Sequence, residues 1–204
     1  MGLLNVEFIT NIFFSSRTYI ISKYGIDQVW LVDCGDIEKV MERIGEKTIK
    51  GVLLTHTHSD HIYGLSKLLG IFPSVKIFTN QYGVEALKSP KLNFSRYHTE
   101  QEDISIDASN NIQVLADEDE INILDVPTKI YETTGHDPSC LTYIIDDMVF
   151  TGDSYIPGVK VFAGFPKSNR KQAEQSVEKI LKLAAGLTIM PGHSIYFNNN
   201  ICQY

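Results

Sequence analysis

The sequence predicts an α/β fold in which two mixed β-sheets pack face to face between outer helices, a four-layer αββα sandwich. Three observations lead there. Short runs rich in β-branched and aromatic residues come in two batches, one within residues 4–78 and one within residues 112–151. Each batch is accompanied by segments of helical period, and elements that each bury one face are satisfied together by two stacked sheets with helices outside. A chain of 204 residues with 43% hydrophobic content fills one sizeable core but is short for two full domains, so residues 1–204 are read as one domain.

Residues 4–9, 18–23 and 29–32 open the chain as strands, separated by Ser/Arg and Tyr-Gly-Ile-Asp breaks. Asp36 begins a helix, because Ile37, Val40, Met41 and Ile44 recur at helical spacing and Gly45 closes the segment. Residues 51–55 form a buried strand that runs straight into the polar cluster 55–61. Helices at 64–69 and 81–87 flank a strand at 75–78. Residues 89–111 are polar and without clear period, and are expected to pack as a loop over one face. Short strands follow at 112–115, 120–124, 129–133, 141–145 and 148–151, with Asp146-Asp147 as a hairpin turn. Ser168 is expected to cap a helix over 169–183, which precedes a strand at 187–190.

Charge and composition narrow the function classes. A net charge of −7 leaves no footprint for wrapping a phosphate backbone, so a small-molecule substrate is expected and no nucleic acid. Cys34, Cys140 and Cys202 are odd in number and widely spaced, which fits reduced thiols better than a disulfide framework. The N-terminal segment lacks a cationic region and is interrupted by Asn5, Glu7 and Asn11, so no cleaved signal peptide is expected. No segment reaches the roughly 18 apolar residues of a membrane span. A cytoplasmic protein with no membrane partner is the expectation, and the oligomeric state is not legible.

The histidines carry the functional signal. Of six, His56, His58 and His61 crowd into Thr55-His56-Thr57-His58-Ser59-Asp60-His61, directly after an apolar strand. In an extended loop His56 and His58 project to one side and can grip one ion, while Asp60 and His61, at the turn into a helix, can face a second. A lone histidine is usually a solvated loop residue, but three in six positions resist that reading. Gly135-His136, Gly152-Asp153 and Gly192-His193 each follow an apolar strand. Glycine allows the sharp turn and close backbone approach that aim a strand-end side chain at a shared centre. Singly, His136 could be a loop histidine, Asp153 a turn former and His193 a surface residue; together they complete two metal sites.

In this order, His-x-His-x-Asp-His, Gly-His, Gly-Asp and Gly-His resemble the signature of the metallo-β-lactamase superfamily, with the match running from about Asn11 to Ser194. The resemblance implies one metal on His56, His58 and His136, a second on Asp60, His61 and His193, and Asp153 bridging. It also implies two divalent ions, zinc foremost with iron or manganese as alternatives, and hydrolysis by a metal-bridging hydroxide that Asp60 ligates and orients. Val32-Asp33-Cys34-Gly35 resembles the family's strand ending in Asp-x-Gly, where Asp33 is a support or turn residue without a catalytic role. An aspartate at 153 points away from β-lactam hydrolysis, because the family's β-lactamases generally lack it. The chain ends eleven residues after His193, without the glutathione-binding helical domain of glyoxalase II. The implied substrate is therefore a small ester, thioester or lactone.

Substrate contacts are less legible. Tyr155 and Lys160 follow Asp153 and are candidates for binding a carbonyl oxygen or carboxylate, against packing and solvation as their ordinary uses. His98 lies outside all motifs and reads as a surface or loop histidine. Phe162 and Phe165 are candidates for a pocket wall, although core packing is the commoner use. Two rivals remain: a mononuclear iron persulfide dioxygenase sharing the seven positions, and a non-catalytic binding module on the same fold. No Gly-x-Ser-x-Gly elbow is present, and Cys140 reads as a small buried residue.

Overall fold

The computed structural model describes residues 4–107 and 109–193. Cys202 and Ser194 lie outside the described residues. Six strands, β1 (Asn5–Thr10), β2 (Arg17–Ser22), β3 (Gln28–Val32), β4 (Thr48–Leu53), β5 (Lys76–Thr79) and β6 (Ile112–Val114), lie side by side in chain order. The second sheet has the order β11-β10-β9-β8-β7, from β7 (Glu120–Ile123), β8 (Val126–Glu132), β9 (Leu141–Ile145), β10 (Met148–Gly152) and β11 (Thr188–Pro191).

Strand direction dictates where the helices go. Pairs β1/β2 and β2/β3 are antiparallel, whereas β3 to β6 are parallel, and parallel neighbours need a crossover rather than a tight turn. Those crossovers carry α1 (Ile37–Ile44), α2 (Ser59–Ile62), α3 (Leu65–Ile71) and α4 (Gln81–Leu87). In the second sheet only β10/β11 is parallel, and α5 (Arg170–Leu183) spans that connection. Both sheets are mixed, with helices outside each, as the sequence predicts.

The period of two along the strands divides the core. Tyr19, Ile21, Trp30 and Val32 face the second sheet, where they meet Ile130, Tyr143, Ile145 and Phe150. Their neighbours Ile20 and Leu31 point the other way, onto Ile37, Val40, Leu65 and Leu68 of the helices. A one-residue slip of β2 or β3 would exchange these sets, so burial on both faces fixes the register. On the far side, α5 buries Ala173, Ser176 and Ile180.

Several boundaries differ from the sequence expectation. β4 starts at Thr48 rather than 51, with Ile49 buried between exposed Thr48 and Lys50. β8 begins at Val126; Pro127 is accommodated because pairing with β9 starts only at Thr128. Asn169, not Ser168, caps α5 by accepting from Gln172 N, while Ser168 Oγ donates to His136 O. Residues 89–111 carry one 3-10 turn, Ser95–Tyr97, and pack down through buried Ile104 and Ile106. Asp146 and Asp147 make the expected turn, with Asp146 at φ +54°. No helix of the described residues is long and apolar enough to cross a membrane.

Candidate metal centre

Strand direction also brings the motif residues together. β8, β10 and β11 run the same way, so the segments leaving their C-terminal ends, which carry His136, Asp153 and His193, emerge along one edge. β4 delivers residues 54–61 to that edge, where Leu141 N donates to Thr55 O (2.7 Å) and Thr57 N to Ser139 Oγ (3.0 Å). α2 is a single polar turn that the sequence reading did not resolve as an element, yet Ser59, Asp60, His61 and Ile62 are all buried. Two glycines make the approach possible. Gly152 sits at φ +50°, and a Cβ at Gly192 would lie 2.3 Å from Asp153 Oδ1.

The seven predicted ligand residues converge. Three groups bring ligand atoms within 4.8 Å of one another: His56, His58 and His136; His56, His61 and Asp153; and Asp60, His61 and His193. His136 Nε2 lies 3.1 Å from His58 Nδ1, and His61 Nε2 lies 3.3 Å from both His193 Nε2 and Asp60 Oδ2. Asp153 spans the groups. Its Oδ2 is 3.7 Å from His136 Nε2 and 3.2 Å from His193 Nε2, and its Oδ1 is 3.7 Å from His61 Nε2. Buried His56 Nε2 and Asp153 Oδ1 have no hydrogen-bond partner among the described residues. Buried polar atoms ordinarily are paired, so orphaned donors within a nitrogen and oxygen set fit a divalent cation such as zinc, iron or manganese.

In His56, His61, His136 and His193 the opposite ring nitrogen is held from behind, which fixes the orientation of those imidazoles. His61 Nδ1 meets Asp33 Oδ2 at 2.8 Å, His136 Nδ1 meets Phe162 O at 2.7 Å and His193 Nδ1 meets Phe14 O at 2.9 Å. His56 Nδ1 lies 3.2 Å from Thr55 Oγ1. Asp33, at φ +60°, also accepts from Thr55 N and Thr55 Oγ1, both at 2.7 Å, and so ties the end of β3 to the His56 and His61 segment. This matches its expected supporting role.

Electrostatics separate the two halves. Burial and the neighbouring imidazoles push His56 well below the ordinary histidine range and His136 down to about 4, so both are neutral with a lone pair to give. Burial would also lower His61 and His193, but Asp60, Asp33 and Asp153 reverse it at His61, and Asp153 reverses it at His193. Burial opposes charge on Asp153 too, yet His193, His61 and His56 hold it well below the usual carboxylate range. Positive charge therefore gathers where the two carboxylates meet, and a cation there would displace those protons.

The weaker candidates fall around this centre. A small cavity beside His136 and Asp153 is lined by Ile156, Val159, Lys160, Val161 and Phe162. Tyr155 is not part of that lining; it faces a groove between residues 155–164 and α5 that Lys160 also borders. Phe162 lines both the small cavity and the groove, whereas Phe165 packs against it at 4.8 Å and stands 5.0 Å from the His58 ring. His98 is half-buried, with its ring 5.0 Å from Phe14. Cys34 and Cys140 are free and buried, and burial pushes both thiols up, away from reactivity.

Sequence reasoning missed three neighbours. Asp137 lies 3.4 Å from His58 Nε2 and accepts from Ser139 N; its position beside His136 was the available signal. Phe94, 4.9 Å from His58, and Gln101, whose Nε2 donates to Ser59 Oγ at 2.7 Å, come from the aperiodic stretch and carried none.

Comparison with known proteins agrees with this geometry. The chain is 28% identical over 163 residues to Glyoxylase B2 of Dictyostelium discoideum, covering 78% of this chain and 54% of that protein. It is 23% identical over 179 residues to a hydroxyacylglutathione hydrolase of Tolumonas auensis, covering 85% and 60%. The chain thus spans little more than half the length of these curated relatives. Its fold matches the BLEG-1 B3 metallo-beta-lactamase with a TM-score of 0.84 at 21% identity, covering 94% of this chain and 92% of that one. A family model for the metallo-beta-lactamase superfamily matches residues 13–193, a span that contains all seven converging positions, and the chain belongs to that superfamily.

Proposed function

We propose that this protein is a metal-dependent hydrolase of a small ester, thioester or lactone, working with two divalent ions. The observation that carries the reading is Asp153, whose carboxylate reaches both the His136 side and the His61 and His193 side of one buried cluster. His56, His58 and His136 would hold one ion, Asp60, His61 and His193 the other, and Asp153 both. Zinc suits these donors best, with iron and manganese compatible. When bound, the pair supplies Lewis acidity that activates water and polarises the scissile carbonyl.

The residues do the rest. Burial opposes charge on Asp60, yet His61 and His193 hold it below the usual carboxylate range, so at neutral pH it is ionised and can accept a hydrogen bond from a water, orient it and relay its proton. For a thioester, the water oxygen forms the new C–O bond and the C–S bond breaks. One proton goes through Asp60 to the departing thiolate, and the product is a carboxylic acid that ionises in solution. The Asp33, Phe162 and Phe14 contacts keep the imidazoles from turning away as charge moves.

The relatives named as glyoxylase and hydroxyacylglutathione hydrolase support acyl transfer to water as the reaction class. The test is metal analysis of protein purified without added metal, followed by kcat/KM for a small thioester, a lactone and a β-lactam on one metal-loaded sample. Two metals per chain and faster thioester or lactone hydrolysis are expected. One iron per chain with oxygen uptake would replace this reading with a persulfide dioxygenase, and a tenfold lead for the β-lactam would overturn the acyl class.

A further inference from the structure

Around the mouth of the centre runs an arc of aromatic rings that the metal chemistry does not require. Phe14 packs on His98 at 5.0 Å, Tyr97 follows at 6.2 Å from Phe94, Phe94 lies 4.7 Å from Phe165, and Phe165 lies 4.8 Å from Phe162. Both ends are tied to candidate ligands through their backbones, since Phe14 O accepts from His193 and Phe162 O from His136. The middle is tied by ring contact, Phe94 and Phe165 standing 4.9 and 5.0 Å from His58.

Exposure and backbone conformation show that the arc is not ordinary core. Phe14 is 50% exposed, Tyr97 63% and Phe162 37%. Phe14 (φ +52°) and Phe94 (φ +64°) occupy the left-handed region, which bulky residues rarely enter and which the surrounding fold must enforce. The small cavity beside His136 and Asp153 shares Phe162 with the arc and is lined further by Ile156, Val159, Val161 and the cationic Lys160. Solvent-facing rings gathered at the edge of a polar cluster form a surface that gains by covering apolar groups and gains little from a polar one.

We infer that this rim selects the substrate: the acyl group placed over the centre is apolar, aromatic or branched-alkyl, rather than a small hydroxylated one. The inference rests on the proposed hydrolase reading for the reaction but not for the binding. Because Phe14 and Phe162 hold His193 and His136 through carbonyl oxygens, changing their rings alters the rim without removing the atoms that back the metal site. Burying a phenyl group against such rings favours it by about tenfold or more over a methyl group.

The test separates binding from turnover. Acetate and phenylacetate are titrated by calorimetry into zinc-loaded wild type and into the double variant Phe14→Ala/Tyr97→Ala, and acetyl and phenylacetyl thioesters of N-acetylcysteamine are compared kinetically in both. Phenylacetate is expected to bind wild type about tenfold tighter than acetate, with the same preference in kcat/KM. The variant should keep its zinc and its melting temperature and lose most of that preference. Equal binding of the two acids, or a variant that retains the preference, overturns the rim while leaving the hydrolase reading intact. A preference in binding with no turnover of either thioester supports the rim and sinks the hydrolase reading instead. A wild-type dimer that the variant dissolves would assign the rings to a subunit contact and overturn their role in selection.

Discussion

The floor and the rim of the centre are built by opposite rules. On the floor, His56, His58, Asp60, His61, His136 and Asp153 are buried, and four of the five candidate-ligand imidazoles have the other ring nitrogen fixed by Asp33, Thr55 or a backbone carbonyl. At the rim, Phe14, Tyr97 and Phe162 are open to solvent and meet other rings. A buried donor set tolerates almost no change, because each atom lost leaves others unpaired in a low-dielectric setting. Exposed rings can be exchanged at little cost in stability. On the proposed function, the floor would fix which ions bind and what class of reaction follows, and the rim would choose among substrates.

The sharpest way to break this division is at Asp153, whose carboxylate on the floor reaches both halves. Asp153→Ala should release at least one metal per chain and lower kcat/KM by about 1,000-fold or more, on the scale of the several kcal/mol that metal polarisation supplies. Metal content after gel filtration and steady-state rates check this. Full metal content with an unchanged rate would reduce Asp153 to a turn residue.

Asp33 tests whether the backing of the floor matters as much as the floor. Its φ of +60° is tolerated by asparagine, so Asp33→Asn leaves the backbone in place and changes only the acceptor facing His61 Nδ1 and Thr55 Oγ1. Burial pushes the Asp33 carboxyl up, while His61 and the Thr55 donors pull against it. An amide in this place cannot accept from all of them. Metal affinity should fall about 10- to 100-fold, read by chelator competition, with the half that contains His61 emptying first. Unaltered affinity would mean that Asp33 only joins two strands.

The same division explains what the sequence made legible. Floor residues are legible because their chemistry is rare and ordered: three histidines in six positions, then Gly-His, Gly-Asp and Gly-His at strand ends, all of which the fold gathers at one edge. The sandwich was legible because two batches of β-branched and aromatic runs each come with segments of helical period, and in the structure β2 and β3 are buried on both faces. Thr48 and Lys50 hid the start of β4 because they are exposed and polar, and α2 was hidden because three of its four buried residues, Ser59, Asp60 and His61, are polar. Phe94, Tyr97 and Gln101 sit in an aperiodic stretch, where only tertiary packing assigns a side chain its neighbours. Asp137 is intermediate: adjacent to His136, yet recognisable as a partner of His58 only once the loop is folded.

His98 lies where rim and floor meet, and its replacement should have the smallest effect. The ring packs against Phe14 at 5.0 Å, and Phe14 O in turn receives His193 Nδ1. If side-chain packing positioned that carbonyl, removing the imidazole would reach the metal through two contacts. The carbonyl, however, belongs to a hairpin closed by Asn11 N to Ser16 O at 2.8 Å and anchored beside His193 by Arg17 N to Gly192 O at 2.7 Å. What His98→Ala removes is one edge-to-face contact, worth about 0.5–1.5 kcal/mol when well packed, at a half-exposed position where the low end applies. The variant should keep its full metal complement, lose less than tenfold in kcat/KM, under about 1.4 kcal/mol of transition-state stabilisation, and shift phenylacetyl selectivity less than Tyr97→Ala does. Loss of a metal ion from His98→Ala would show that the rim props up the floor, and the separation between them would fail at this point.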